Sequence, residues 1–171
     1  MKHLLATLLC STLSFASLNN INSFEANFIQ SVTDDKNTSL NYSGYLAAQK
    51  PQNAVWNYLE PIKKDVFISE YSVTIVEPEI EQVIIRKIES NFDFFMMIKN
   101  AIKIDKDTYK AQYKKANFTI KMKNDLIKSI SYKDEFENDV VVSFEKQKQN
   151  TKIDEKVFIP IIPIEFDVIR D

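Results

Sequence analysis

A single histidine, His3, and a single cysteine, Cys10, stand in a chain of 171 residues. Both fall in a stretch that reads as an export signal. Lys2 carries the charge, residues 4–13 form an apolar run, and Ser14-Phe15-Ala16 offers the small residues a signal peptidase needs, which places cleavage after Ala16. The run is well short of the roughly 20 residues that a membrane-crossing helix requires. Leu9 precedes Cys10 where lipid attachment needs a small residue, so this cysteine is not read as a lipid anchor. Residues 1–16 are therefore expected to be a signal peptide and residues 17–171 one soluble domain. Beyond the signal there is neither imidazole nor thiol. That excludes disulfides, the usual soft ligands of zinc and copper, and the usual base and nucleophile of acyl transfer. No zinc or copper site is expected, and carboxylate-only chemistry remains open.

Glycine is as scarce, with one residue against five prolines, and no linker or low-complexity tract divides the chain. A phosphate-cradling glycine-rich loop cannot be built, so any ATP chemistry must belong to a partner. An excess of one charge is lacking too. The 22 Lys and Arg less Lys2 leave 21 against 24 Asp and Glu, a net charge of −3, with both signs interspersed from Lys99 to Lys156. The basic pairs Lys114-Lys115 and Lys121/Lys123 stand among Asp105, Asp107 and Asp125, and no nucleic acid partner is expected.

What the chain has is apolar alternation interrupted by turn formers about every ten residues, which predicts an antiparallel sandwich or barrel. Ala26, Phe28 and Val32 alternate with Asn27, Ile29 and Ser31 before the turn Asp34-Asp35-Lys36-Asn37. Residues 42–49 run up to Lys50-Pro51, and residues 55–59 stop at Glu60-Pro61. Shorter strands are predicted over 66–69, 73–76 and 82–87, then at Tyr109/Ala111/Tyr113 and Phe118/Ile120/Met122. Asn124-Asp125 turns the chain into 126–133, and Val140, Val142 and Phe144 repeat the alternation. Residues 90–104 break it at near-helical spacing, with Ser90 and Asp93 as a cap and Phe92, Phe95 and Met96 as the expected face. Phe94, Met97 and Ile98 lie outside that face. A helix apolar nearly all round is covered on more than one side or binds something. A second helix of one or two turns is predicted over 17–23, with Leu18 and Ile21 inward.

An aromatic content of 12 % and the run Phe94-Phe95-Met96-Met97-Ile98 put soft, adaptable side chains together. On periodicity alone these residues, like Trp56 and Tyr58 on one strand face, read first as ordinary core. The carboxylate pairs Glu79/Glu81 and Asp105/Asp107 fall in turn-like, polar surroundings unsuited to acid–base work.

Five segments, taken in order, resemble the periplasmic outer-membrane lipoprotein carrier proteins, the LolA family. They are Phe24-Glu25-Ala26-Asn27-Phe28-Ile29-Gln30 with the turn that follows; Tyr45-Leu46 through Lys50-Pro51 with Trp56 and Glu60-Pro61; Val76-Glu77-Pro78 with Glu81-Gln82-Val83; Phe95-Met96-Met97-Ile98; and Phe158-Ile159-Pro160 to Phe166-Asp167-Val168-Ile169. The resemblance implies a mainly β fold, an unclosed antiparallel β-barrel of about eleven strands with a helical lid over an apolar concave face. It implies a chaperone with no enzymatic activity, metal or cofactor that shields the acyl chains of lipoprotein cargo, loaded by an inner-membrane ABC-type lipoprotein-releasing complex and unloaded to an outer-membrane acceptor, and acting as a monomer. Carried onto this chain, Lys50 falls where the family has an Arg that tethers the lid. Ala54, Trp56 and Tyr58 fall on the cavity wall, and Phe95, Met96 and Ile98 on the lid. Lys50 offers a point charge in place of a planar fork, and Ala54 stands where a large aromatic is common, which implies weaker closure and a wider cavity. Two rivals remain at this stage: a periplasmic lipid-binding or lipoprotein-sensing module on the same bowl without cargo hand-over, and a carboxylate-dependent hydrolase.

Overall fold

Phe24, Ala26 and Phe28 occupy every second position of the first strand and are each 1 % exposed or less, while Asn27 and Ile29 between and beyond them face water. A period of two with one wet face is what a pleated strand on a core produces. The structure is a computed structural model and describes residues 18–87, 94–113 and 115–170. Its strands are β1 (Ser23–Thr33), β2 (Ser39–Gln49), β3 (Asn53–Glu60), β4 (Lys64–Ile68), β5 (Ser72–Glu77), β6 (Gln82–Lys87), β7 (Ile102–Lys103), β8 (Thr108–Tyr113), β9 (Ala116–Lys123), β10 (Leu126–Lys133), β11 (Asp139–Gln149) and β12 (Asp167–Arg170). One helix, α1 (Phe94–Lys99), lies between β6 and β7.

The strands form a single sheet in the order β12-β6-β5-β4-β3-β2-β1-β11-β10-β9-β8-β7. Each pair is antiparallel except β12, which runs parallel to β6. The edges β12 and β7 do not pair among the described residues, so this mainly β fold is an unclosed sheet, with twelve strands where about eleven were expected. The chain closes on itself at the centre instead, where β1 pairs with both β2 and β11.

Two expectations need correction. The segment 90–104 is not helical to its end: α1 stops at Lys99, and Ile102–Lys103 pairs with Tyr109 and Lys110. The last turn tightens, with Asn100 N bonded to Met96 O and Ala101 N to Ile98 O, and the β-branched Ile102 finds a ladder partner that a helix would deny it. Its expected start, with Ser90, Phe92 and Asp93, lies outside the described residues. At the N-terminus the predicted helix shrinks to a single 3-10 turn, Leu18–Asn20, and Ser23 already belongs to β1. Leu18 and Ile21 are buried, as their spacing predicted.

With glycine so scarce, other residues take the left-handed turns. Asn124 and Asp125, at φ of 53° and 61°, make the two-residue β9–β10 hairpin, and Asn37 closes the β1–β2 turn at 61°. The one glycine meets a different demand. Gly44 pairs with Phe28 across the β1–β2 ladder, and a Cβ there would stand 2.0 Å from the backbone oxygen of Asn57 and 2.9 Å from Phe28 Cε1. Absence of a side chain lets the Phe28 ring lie over β2.

The sheet carries cover on both faces. Phe24, Phe28, Leu46, Ile120, Ile130, Val142 and Phe144 share the core with Phe95, Met97 and Ile98 of α1. The opposite parity puts Ala47 and Val55 in a second cluster with Ile153, flanked by Tyr45, Phe67 and Phe158 from the segment before β12.

Candidate functional site

Successive positions in a helix are 100° apart, so Phe94, Ile98, Phe95 and Met97 fall within one broad arc and Met96 falls opposite. The structure follows this arithmetic. Phe95, Met97 and Ile98 are buried, Phe94 is half-buried, and Met96 is 52 % exposed. The expected face of Phe92, Phe95 and Met96 is therefore corrected: Met97, not Met96, points at the sheet.

Between α1 and the sheet lies a cavity of about 320 Å³, walled by Trp56 and Tyr58 of β3, Val66 and Ile68 of β4, Phe118, Ile130, Tyr132, Val142 and Phe144 of β9–β11, Gln30 of β1, and Phe94 and Met97 from above. A smaller void of about 30 Å³ continues it past Trp56 to Ala54, Leu46 and Phe95. Aromatic edges hold the wall: Phe28 stands edge-on to Trp56 at 5.0 Å and to Tyr58 at 5.1 Å. Such pairs add about 0.5–1.5 kcal/mol beyond burial.

Ala54 and Phe95 thus line the smaller void, Tyr58 the larger, and Trp56 both. Ile98 lies in the core beside Leu18 and Ile21 without lining either void. Met96 lines neither. Lys50, just past the end of β2, sends its ammonium to Asn22 Oδ1 at 3.0 Å and over the Phe95 ring, 5.8 Å from the centroid. This places a charge between the end of β2 and α1.

Polar groups touch the cavity at one end. The Tyr58 hydroxyl donates to Gln30 Oε1 at 2.9 Å. Burial, followed by the neighbouring Tyr132 and Tyr42, pushes the Tyr58 phenol up to about 12, and burial also raises Tyr132. The acidic pairs behave otherwise. Asp105 is exposed and accepts the backbone N–H of Asp107 at 3.0 Å, and hydrogen bonds from Asp107 and Thr108 lower its pKa, so it stabilises a turn.

The antiparallel register puts the loops after β1, β3, β5, β8 and β10, and the start of β12, at the end where Gln30, Tyr58 and Tyr132 stand. Glu77, Glu79, Glu81, Asp134, Glu135 and Glu137 lie there, with Lys36, Lys63 and Lys115 among them. Lys106, Lys123, Lys128, Lys146 and Lys148 lie at the other end, with Asp105, Asp107 and Asp125 among them. Sequence reasoning does not place these groups because successive hairpins send their turns to alternate ends. It also passed over Gln30, Phe94, Met97, Phe118, Tyr132 and Phe144; the signal was strand parity, since Gln30 continues the series Phe24, Ala26, Phe28.

Residues 19–160 match the family described as outer membrane lipoprotein carrier protein LolA. The outer-membrane lipoprotein carrier protein of Campylobacter jejuni is 43 % identical over 151 residues, 88 % of each chain. That of Helicobacter pylori strain J99 is 30 % identical over 142 residues, 83 % of this chain and 76 % of its own. Among solved structures, a LolA superfamily protein from Nitrosomonas europaea aligns with a TM-score of 0.52 at 10 % identity, covering 82 % of this chain and 91 % of that one. An uncharacterized conserved protein from Thermus thermophilus reaches 0.57 at 13 % identity over 93 % and 96 %. The two structures share the fold, and the sequence matches span most of the chain at up to 43 % identity: the protein belongs to the LolA family of outer membrane lipoprotein carrier proteins.

Proposed function

We propose that this protein is a periplasmic chaperone that takes the acyl chains of lipoproteins into the space between α1 and the sheet and carries them to the outer membrane. The observation that carries the reading is the apolar cavity of about 320 Å³ under α1 in a chain of this family. At about 0.8 kcal/mol per methylene, withdrawing one long acyl chain from a bilayer costs on the order of 12 kcal/mol, which a sheltering cavity offsets. The volume is at the small end of the roughly 300–1,000 Å³ of ordinary ligand sites, so a long acyl chain enters by displacing α1. Closure when empty keeps a large apolar surface from water.

The rest of the reading follows from the same role. Residues 1–16 act as the signal peptide, with cleavage after Ala16, and residues 17–171 form one carrier domain. The protein catalyses no reaction and needs no cofactor. An inner-membrane ABC-type complex loads it and an outer-membrane acceptor receives the cargo. The carboxylates and the exposed Ile80, Phe136 and Ile164 at the polar end of the cavity support docking there on partners that present basic and apolar groups. Lys50, Ala54, Trp56, Tyr58, Phe95 and Ile98 serve the lid and cavity, with Met97 in the place first given to Met96.

Native mass spectrometry of the protein purified from periplasm without detergent, with a lipoprotein co-expressed, tests this. The expected result is a mass increment equal to the intact acylated lipoprotein. An increment of free lipid alone would favour a lipid-binding module instead, and a protein always empty beside competent loading machinery would return Trp56 and Phe95 to ordinary core.

A further inference from the structure

Gln30, Tyr58 and Tyr132 lie in the lining of the main cavity, and each stands near the hairpin end of its strand, in β1, β3 and β10; Trp56, also in the lining, carries an indole N–H. Tyr42 of β2 adjoins them, paired across strands with Gln30 and with its ring 5.8 Å from that of Tyr58. Toward α1 the lining is Ile68, Phe94, Met97 and Phe144, with no polar side chain. All three polar residues are half-buried.

We infer that Gln30, Tyr58 and Tyr132 form a head-end subsite that binds the ester or amide carbonyls of an acylated ligand, with its hydrocarbon tails directed toward α1. The inference rests on the proposed acyl-carrying function and adds the ligand's polarity and the groups that read it. A carbonyl oxygen only accepts hydrogen bonds, so the site must donate. Gln30 Oε1 is occupied by the Tyr58 hydroxyl at 2.9 Å, which fixes the amide and leaves both Nε2 hydrogens without an acceptor among the described residues. The Tyr132 hydroxyl adds a donor from the facing strand. Lys64 Nζ stands over the Tyr58 ring, 4.8 Å from its centroid, but is not among the lining residues, so the donors that face the cavity are neutral and suit a carbonyl oxygen. A mostly apolar site with a few convergent polar groups orients its ligand in this way.

Isothermal titration with dioctanoylglycerol and with its dioctyl ether analogue, which keeps the chains and loses both carbonyls, tests the subsite. The wild-type protein is expected to bind the ester about five- to tenfold more tightly, the effect of one or two ordinary hydrogen bonds. Gln30→Leu and Tyr132→Phe are each expected to reduce that ratio. Equal affinities in the wild type would overturn the inference while leaving the acyl cavity standing, and that comparison needs no variant to fold. A ratio undiminished in both folded variants would overturn the assignment to these residues. Binding of neither lipid would overturn the acyl-carrying reading and the subsite with it.

Discussion

The ammonium of Lys50 stands 5.8 Å from the centroid of the Phe95 ring while bonding Asn22 Oδ1 at 3.0 Å, so one side chain joins the end of β2, the chain before β1 and α1. A cation over an aromatic ring at a partly exposed site stabilises by about 0.5–1 kcal/mol. Lys50→Met keeps an apolar stem and removes the charge. Amide exchange of residues 95–100 is expected to speed by roughly two- to fivefold, the same energy expressed as local opening. Unchanged exchange would mean that α1 is held by burial of Phe95, Met97 and Ile98 alone.

The adjacent methionines of α1 separate lid packing from surface. Met97 is 2 % exposed and lines the cavity, whereas Met96 is 52 % exposed and points away from the sheet. Met97→Ala is expected to cost about 2–5 kcal/mol, reduced where the neighbouring cavity lets the site collapse. Met96→Gln is expected to change stability by less than about 0.5 kcal/mol. Urea unfolding of the two variants decides, and equal losses would show that α1 does not present one face to the sheet.

These two residues also mark what could be read from the chain. Phe24, Ala26 and Phe28, or Val140, Val142 and Phe144, declare their strands because alternation records a local fact, which side of one strand is wet. The helix face was misjudged because its apolar residues run on without a polar stripe, so periodicity offered no phase. Only the sheet beneath selects Met97 over Met96. Ile102 looked like one more helical residue because its partner, Lys110, lies beyond a turn. Which turns share an end of the sheet depends on the register of every hairpin at once, and no window of sequence contains it.

Gly44 has no room for a side chain. Its Cβ would lie 2.0 Å from Asn57 O and 2.9 Å from Phe28 Cε1, and the first of these is backbone that cannot swing aside. Gly44→Ala is expected to destabilise by about 1–3 kcal/mol through displacement of β3 or of the Phe28 ring. Since Phe28 braces Trp56 and Tyr58, the near-ultraviolet circular dichroism of the folded variant should change as well. A variant with wild-type stability and spectrum would refute the close approach.

The phenol of Tyr58 is expected to make the protein alkali-sensitive. Its folded pKa is raised from 10.0 to about 12, first by burial and then by Tyr132 and Tyr42. Below pH 10 the group is neutral in both states and its burial carries no penalty for ionisation. Between pH 10 and about 12 the unfolded chain releases the proton while the folded chain retains it, so stability falls as pH rises and levels off above the folded value. Urea midpoints measured across this window should decline more steeply in the wild type than in Tyr58→Phe. Parallel declines would show that Tyr58 ionises as freely in the fold as outside it.

The cavity end that holds Gln30 and Tyr58 is ringed by apolar side chains that the fold itself does not use. Phe136, at the tip of the β10–β11 hairpin, is 77 % exposed, and Ile164, in the turn before β12, is fully exposed. Asp134 holds that hairpin firmly, its carboxylate accepting the backbone N–H groups of Phe136 and Asn138 at 2.9 Å each, so Phe136 is presented rather than frayed. Side chains with so few contacts contribute little to stability, and Phe136→Ser with Ile164→Ser is expected to shift it by less than about 0.5 kcal/mol at each site. If the cavity loads and unloads at this end, the same variant should release less lipoprotein from spheroplasts than the wild-type protein does. Undiminished release by a variant with an unchanged melting temperature would place the docking surface elsewhere on the molecule, the lysine-rich opposite end being the next to test.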